Sequence, residues 1–460
     1  MSGLWWIGSA FLVDSTVFLW ALPIAVIALP AVLALFWAVC IGLTGFLWSA
    51  HVRRVFLLAA MLGVAEYLRG FLASGFPWNT IGYAAFPVPI FMQSASLLGI
   101  YGATPFMVLI ASAPGVIVPG MQEQEPARKR LFSLIFLLIA AHTAYGFLRM
   151  PSKPDDGVEG VSIRLVQPSI PQHEKFLPEK HPEHLQRYIE LSKGHSAGQQ
   201  ASLKGVTHLF WPESVFPYLL TENRRTLSLI ADLLPEGTSL ITGAVRAESR
   251  VSNSEQNLVF NSVYVINHEG LIVSAADKVH LVPFGEYLPF QSFLESIGLR
   301  QLTQIDGGFE PGSSRKLLST GIGPEFLPLI CYEIIFSGQI WNREKRPGYI
   351  ANFTNDAWFG YTPGPFQHER QSIVRGVEQG LPVIRIANTG VSGVYDAYGR
   401  SVVRLDLGEV DILDSHLPSA LEPTPYAKHS FLIIWSVIIS FLFVALLPVP
   451  EARIVGRNKS

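Results

Sequence analysis

The chain has 460 residues, of which 49% are hydrophobic and only 15% charged, and its mean hydropathy is +0.32. It is too apolar for an ordinary soluble enzyme and too polar for a bare bundle of spans, so a mixture of membrane and water-exposed parts is predicted. A formal net charge of −2 offers no basic field to a polyanion and excludes nucleic acid as a partner.

The first ten residues, MSGLWWIGSA, lack the basic n-region of a cleavable signal, which predicts an anchor that stays. Crossing a bilayer takes about 20 apolar residues. Runs of this kind occur at LWWIGSAFLV, which is short, then between Phe18 and Phe46, at VFLLAAMLGVAEYL, at LLGIYGATPFMVLIASAPGVIVPG, at LFSLIFLLIAAHTAYGF and at FLIIWSVIISFLFVALLP, about six in all. Lys and Arg cluster beside alternate spans, in HVRR (51–54), ARKR (127–130) and RIVGRNK (453–459). The positive-inside rule puts all three in the cytoplasm and the large segment after the fifth span outside it. In a bacterium that is the periplasmic face of the inner membrane. Trp78, in GFPWNTIGY beyond the third span, reads either as a contact for substrate or as an interfacial anchor.

PSKPDDGVEG marks a join at 151–160. The predicted division is a membrane domain at 1–150, a polar domain at 151–428, and a last span with a basic tail at 429–460. Within the polar domain, VSIRLVQPSI, THLFWPES, SLITGAV, NSVYVIN, LIVSAADKVHLVPFGEYLP, LPLICYEIIF, YIANFTND, PVIRIAN and SGVYDAYGRSVVRLDL read as strands. KHPEHLQRYIELSKGHS, ENRRTLSLIADLL and QHERQSIVRGVEQG read as helices between them. Sheets covered by helices, an α/β sandwich, are the predicted fold class.

Cys40 falls in a predicted span and Cys331 in the polar domain, so no intramolecular disulfide is expected and Cys331 is read as a free thiol. Taken alone, such a cysteine is a small buried hydrophobe. Its context changes the reading, because three strand ends carry polar residues that a core would not want: Glu213 in FWPESVFP, Lys278 and Glu286 in ADKVHLVPFGEYLP, and Cys331 in ICYEIIF. A carboxylate can take a thiol proton, the thiolate can attack a carbonyl, and an ammonium can steady the oxyanion while lowering the thiol pKa. Glu286 is equally readable as an ion-pair partner of Lys278. No H-E-x-x-H or Cys/His cluster occurs, so no metal and no cofactor are predicted, and His280 is read as structural.

WPESVFP, DKVHLVPFGEYLP, ICYEIIF and NFTNDAWFG together resemble the nitrilase, or carbon-nitrogen hydrolase, superfamily, and specifically its membrane-bound branch, the bacterial apolipoprotein N-acyltransferases. EYLRGFLASGFPWNTIGYA (66–84) resembles that branch's membrane domain, and the single closing span fits it. The resemblance implies a nitrilase-like α-β-β-α sandwich inserted before the last span. It further implies Glu213 as general base, Lys278 as the oxyanion-stabilising cation, Cys331 as nucleophile and Glu286 as a supporting glutamate. Tyr332 and Glu333 would belong to the pocket and its loops, and Trp358 and Phe359 to a rim touching an acyl chain or to packed core. The implied reaction moves an acyl chain from a membrane phospholipid, through a Cys thioester, to the amine of an S-diacylglyceryl-cysteine apolipoprotein. Family members usually begin with two further spans, so this chain is expected to start within what would be their third. Two alternatives stay open: a membrane-tethered amidase or acyltransferase of the nitrilase type with another acceptor, and a truncated, inactive relative with an assembly role.

Overall fold

The computed structural model describes residues 3–13, 18–49, 51–116, 125–153, 155–194, 202–249, 257–296, 300–303, 305, 307–338, 340 and 345–447. Among these, four helices are long and apolar enough to cross a membrane: Leu19–Phe46, Ala95–Val116, Pro126–Arg149 and Pro425–Leu446. Two of the expected spans differ. LWWIGSAFLV forms a 3-10 helix of eight residues, Trp5–Leu12. The helix after HVRR runs only over the 16 residues Arg54–Arg69, about 24 Å at 1.5 Å per residue and short of a ~30 Å hydrocarbon core. The basic tail at 453–459 lies outside the described residues.

The reason for that early stop is polar. Arg69 pairs with Glu66 within the last turn and donates to the carbonyls of Phe76 (2.9 Å) and Trp78 (2.8 Å). The chain is thereby folded back at Gly70 into a loop over 70–85 instead of continuing through the bilayer. Arg54–Arg69, Ala95–Ser112 and Pro425–Leu446 pack on one another. Leu22–Phe46, by contrast, leaves Ile24, Ile27, Val32, Leu35 and Val39 exposed, the surface expected of a helix whose solvent is lipid.

Twelve strands are described in the polar domain: β1 Ser162–Gln167, β2 His208–Phe210, β3 Phe216–Leu219, β4 Ser239–Glu248, β5 Leu258–Ile266, β6 Ile272–Asp277, β7 Phe326–Ile330, β8 Tyr349–Thr354, β9 Val383–Ala387, β10 Ser392–Tyr395, β11 Ser401–Leu405 and β12 Asp411–His416. One sheet has the order β12-β1-β2-β4-β5-β6 with β3 beside β4, and the other β11-β10-β9-β8-β7. The parallel pairs β1/β2, β2/β4, β7/β8 and β8/β9 need crossovers. Helices His181–Ser192, Arg224–Leu233 and Gly364–Gln379 lie in three of them.

Side-chain alternation divides the layers. Ile163, Leu165, Phe210, Ile241 and Val263 share a core with Leu327, Leu329, Ile350, Phe353 and Ile384 of the other sheet. Val166, Leu209, Leu240 and Tyr264 face the other way, onto Leu185, Ile189, Ile230 and Leu233 of the outer helices. Val374 and Val377 cover the far side of the second sheet. The result is helix, sheet, sheet, helix.

Three strand assignments need correction. LPLICYEIIF is strand only to Ile330 and turns into a 3-10 helix at Cys331. LIVSAADKVHLVPFGEYLP is strand only to Asp277. SGVYDAYGRSVVRLDL is a hairpin of β10 and β11.

Candidate functional site

Glu213 lies in the turn after β2, and this turn is clamped onto β4. Trp211 N donates to Ile241 O (2.9 Å), Gly243 N to Pro212 O (3.1 Å) and Val215 N to Gly243 O (3.0 Å). The turn comes so close that a Cβ at Gly243 would lie 2.5 Å from Ser214 N and 2.7 Å from the Glu213 Cα. Ser214 itself has a φ of 51°, a left-handed value that a non-glycine residue adopts at a cost of about 1 kcal/mol or more.

Lys278 follows β6, held by its own N–H on Asn261 O at 2.8 Å. Its ammonium lies 2.9 Å and 2.8 Å from the two carboxylate oxygens of Glu286 and 3.9 Å from Glu213 Oε1. Asn261, on β5, bridges the two acids, with Nδ2 donating to Glu213 Oε1 (2.9 Å) and to Glu286 Oε1 (3.0 Å). Glu286 is fixed by Val282 N at 2.8 Å. All of these groups are buried: Glu213 is 6% exposed, Lys278 1% and Glu286 5%.

Cys331 stands where β7 stops, with a φ of 51°. The strain has visible supports. The Cys331 carbonyl takes a bond from Asn352 Nδ2 (3.3 Å) and lies 3.1 Å from His368 Nε2. His368 is backed by Asp356 at 2.9 Å, and Asp356 by Arg385 at 2.5 Å. The Glu333 carboxylate accepts from Ile330 N (2.9 Å), Val279 N (3.0 Å) and His280 N (3.1 Å), so it ties the cysteine turn to the lysine loop.

Electrostatically the thiol belongs with both other groups. Burial pushes the Cys331 pKa well above the usual thiol value, the Glu213 charge pushes it further, and Lys278 only partly offsets them. Lys278 lowers the thiol pKa as expected of a neighbouring ammonium, but desolvation and Glu213 outweigh it. For Lys278 the balance is opposite: burial opposes the ammonium, but Glu286 and Glu213 outweigh it and hold the group protonated. Glu213 is raised, first by burial and then by Glu286.

The N-terminal-domain model of the apolipoprotein N-acyltransferases matches residues 1–113, and the carbon-nitrogen hydrolase model matches residues 163–426. An apolipoprotein N-acyltransferase of Rhodopseudomonas palustris is 43% identical over 426 residues, 93% of this chain and 79% of that protein. One from Bradyrhizobium diazoefficiens is 44% identical over 416 residues, 90% of this chain and 77% of that protein. The chain belongs to the apolipoprotein N-acyltransferase family. An amidase of the nitrilase superfamily from Nesterenkonia AN1 covers 58% of this chain and 94% of its own, with 19% identity and a TM-score of 0.39, a likeness too slight to carry argument.

In this family member the other predicted site residues lie apart from the thiol chemistry. Tyr332 donates its hydroxyl to Gly75 O at 2.6 Å and Glu333 is engaged with backbone N–H groups. Both therefore hold the Cys331 turn in place. Trp78, 1% exposed, donates to Gln367 Oε1 at 2.7 Å and packs on Trp6, Phe76, Phe359 and His368. Phe359 is part of that aromatic cluster, and Trp358 is half-buried on the turn Asp356–Phe359. His280 places Nε2 2.8 Å from Ser74 O and stacks on Phe336, a structural placement.

Several site groups escape a reading of the sequence. Lys175, on the short helix Gln172–Lys175, is 2% exposed and donates from Nζ to the Glu213 carbonyl at 2.7 Å. On the same turn, Gln172 Oε1 accepts from Asn355 Nδ2 (2.6 Å). Asn261, His368 and Asp356 complete the set. Each of these residue types is common on surfaces, and only a lysine or histidine enclosed by the fold departs from that norm.

Proposed function

We propose that Cys331 carries an acyl chain from a membrane phospholipid to the N-terminal amine of an S-diacylglyceryl-cysteine apolipoprotein. As a member of this family the protein is a membrane-associated acyltransferase of lipoprotein maturation. Glu213 takes the Cys331 proton as Sγ attacks the ester carbonyl, and Lys278 faces the oxyanion that develops. Glu213 then returns that proton to the departing ester oxygen, the lysophospholipid leaves as its alcohol, and a thioester remains. Now a carboxylate again, Glu213 removes a proton from the acceptor amine, whose nitrogen attacks the thioester, and it returns that proton to the Cys331 sulfur as the C–S bond breaks to leave an amide and the free thiol. Amide is more stable than thioester, so the second half runs downhill, and the enclosed setting limits hydrolysis of the intermediate.

The observation that carries this reading is that a buried acid and a buried ammonium, 3.9 Å apart, both act electrostatically on the thiol, which lies in a turn hydrogen-bonded to the membrane domain through Tyr332 and Gly75. An acyl donor in a bilayer favours that arrangement. Drawing a long chain into water costs about 0.8 kcal/mol per CH₂, so the site should stand at the lipid surface. The catalytic part is assigned to 151–428, on the periplasmic face of a bacterial inner membrane.

Mass spectrometry of the protein incubated with phospholipid and no acceptor tests this. The expected result is an acyl adduct on Cys331, absent from Cys331→Ala and discharged by a diacylated lipopeptide. A folded protein without the adduct sinks the mechanism. Discharge by some other amine, with lipopeptide inert, would instead redirect the acceptor.

A further inference from the structure

We infer that Lys175 is the second cation of the catalytic cluster, a positioning residue whose positive charge keeps Glu213 ionised and ready to accept the Cys331 proton. The inference rests on the reading of Glu213 as the base. It begins from a count of charge. The enclosed groups around the thiol are two carboxylates, Glu213 and Glu286, and the ammonium of Lys278, all at most 6% exposed. Lys278 is committed to Glu286 at 2.8 Å and stands 3.9 Å from Glu213. With these three alone the cluster carries a net negative charge away from water, and the simplest relief is to protonate a carboxylate. Glu213, the less closely paired of the two, would take that proton and cease to be a base.

Lys175 removes the imbalance. Its Nζ donates to the Glu213 carbonyl at 2.7 Å, and its charge interacts favourably with both Glu213 and Cys331. With Lys175 included, the resting cluster is neutral. When the Sγ–H bond breaks and an O–H bond forms on Glu213, the negative charge moves from carboxylate to sulfur. The total is unchanged, so the transfer needs no counterion from solvent. The hydrogen bond adds a positional term, since it holds the same turn that the strained Ser214 terminates.

The neighbours are accounted for. Asp356 also acts on the thiol but is paired with Arg385 and His368. His184, from the helix His181–Ser192, faces Lys175 and is held neutral chiefly by burial, with Lys175 adding to the effect. Burial also lowers Lys175 itself to about 8, so its charge is lost within an accessible pH range.

The test compares Lys175→Gln, Lys175→Met and Lys175→Arg by two readouts: single-turnover thioester formation from phospholipid, and iodoacetamide alkylation of Cys331 against pH, followed by peptide mass spectrometry. Both neutral variants are expected to lose at least tenfold in thioester formation at pH 7. The acid limb of their thioester formation should move to higher pH by about one unit, because Glu213 then holds its proton more tightly. The parent should lose thioester formation above about pH 8, where Lys175 discharges, and the arginine variant should keep its rate there. A neutral variant that melts like the parent and keeps its pH profile overturns the proposal. So does Gln behaving as the parent while Met alone fails, since the hydrogen bond would then suffice. If the neutral variants do not fold, an arginine variant with an unmoved alkaline limb overturns it. Alkylation needs no acyl donor, so a parent that alkylates normally yet forms no thioester refutes the acyl-transfer reading and leaves Lys175 to be judged on its own.

Discussion

Cys331 differs from thiols that rest as thiolates, because burial and Glu213 together outweigh Lys278 and keep its proton on. The proposed mechanism then needs a base, and in it Glu213 has two effects of opposite sign: its charge opposes ionisation of the thiol, while its carboxylate would provide the place for the proton. Glu213→Gln should separate them. The midpoint of Cys331 alkylation is expected to move to lower pH, as a repelling charge is removed, while thioester formation falls by about 100-fold or more. An alkylation midpoint at or above that of the parent would contradict the assigned electrostatics. Because Glu213 is raised by burial and then by Glu286, the acid limb of the parent should lie above the 4.5 of a free glutamate. Glu213, Lys278 and Cys331 could be singled out in the sequence as candidates, since each stands in a long motif at a strand end. Lys175 could not be, because HEKF carries no motif and the lysine is buried only once the fold sets it against the Glu213 turn.

Elements hold these residues through close approach more than through regular structure. The strand pattern extrapolated too far at ICYEIIF, where the chain enters a left-handed residue and a 3-10 turn fixed by Glu333. It also extrapolated too far beyond Asp277, where prolines and the bonds of Glu286 replace a ladder. β3 and β12 escaped notice; the latter, DILDSH, alternates weakly at a sheet edge and carries three charged or imidazole side chains. What no pattern encodes is that Gly243, inside β4, must lack a side chain so that the Glu213 turn can sit on it. Gly243→Ala puts a methyl 2.5 Å from Ser214 N, which backbone must yield to. A stability loss of about 1–3 kcal/mol is expected. Displacing Glu213 by even a fraction of an ångström should also slow thioester formation by roughly 10- to 100-fold. Melting temperature and single-turnover rate measured on one preparation check this, and a parent-like rate would show that the turn is not held by contact with Gly243.

At the scale of the whole molecule the sandwich and its membrane attachment were readable from composition and alternation, but their junction was not. Trp78 in GFPWN read either as a contact for substrate or as an interfacial anchor. It lies buried under the Cys331 turn, because Arg69 folds the chain back and Tyr332 and Gln367 bind the returning loop. The same junction fixes a polarity. The loop over 70–85 and the domain from Ser162 lie at one end of the helices, whereas Arg53, at the other, donates to Leu447 O at the close of the last helix. Arg128 and Arg130 begin the helix Glu125–Arg149, which leads into the domain and so starts from that same far end. The cationic end should be cytoplasmic and the thiol should face outward. With Cys40 and Cys331 both replaced by alanine, single introduced cysteines can report the arrangement. A membrane-impermeant maleimide is expected to label Glu269→Cys, in an exposed turn of the domain, in intact spheroplasts, and Arg130→Cys only in inverted vesicles. The reverse pattern would place the site on the cytoplasmic side, where the proposed lipoprotein acceptor is not displayed.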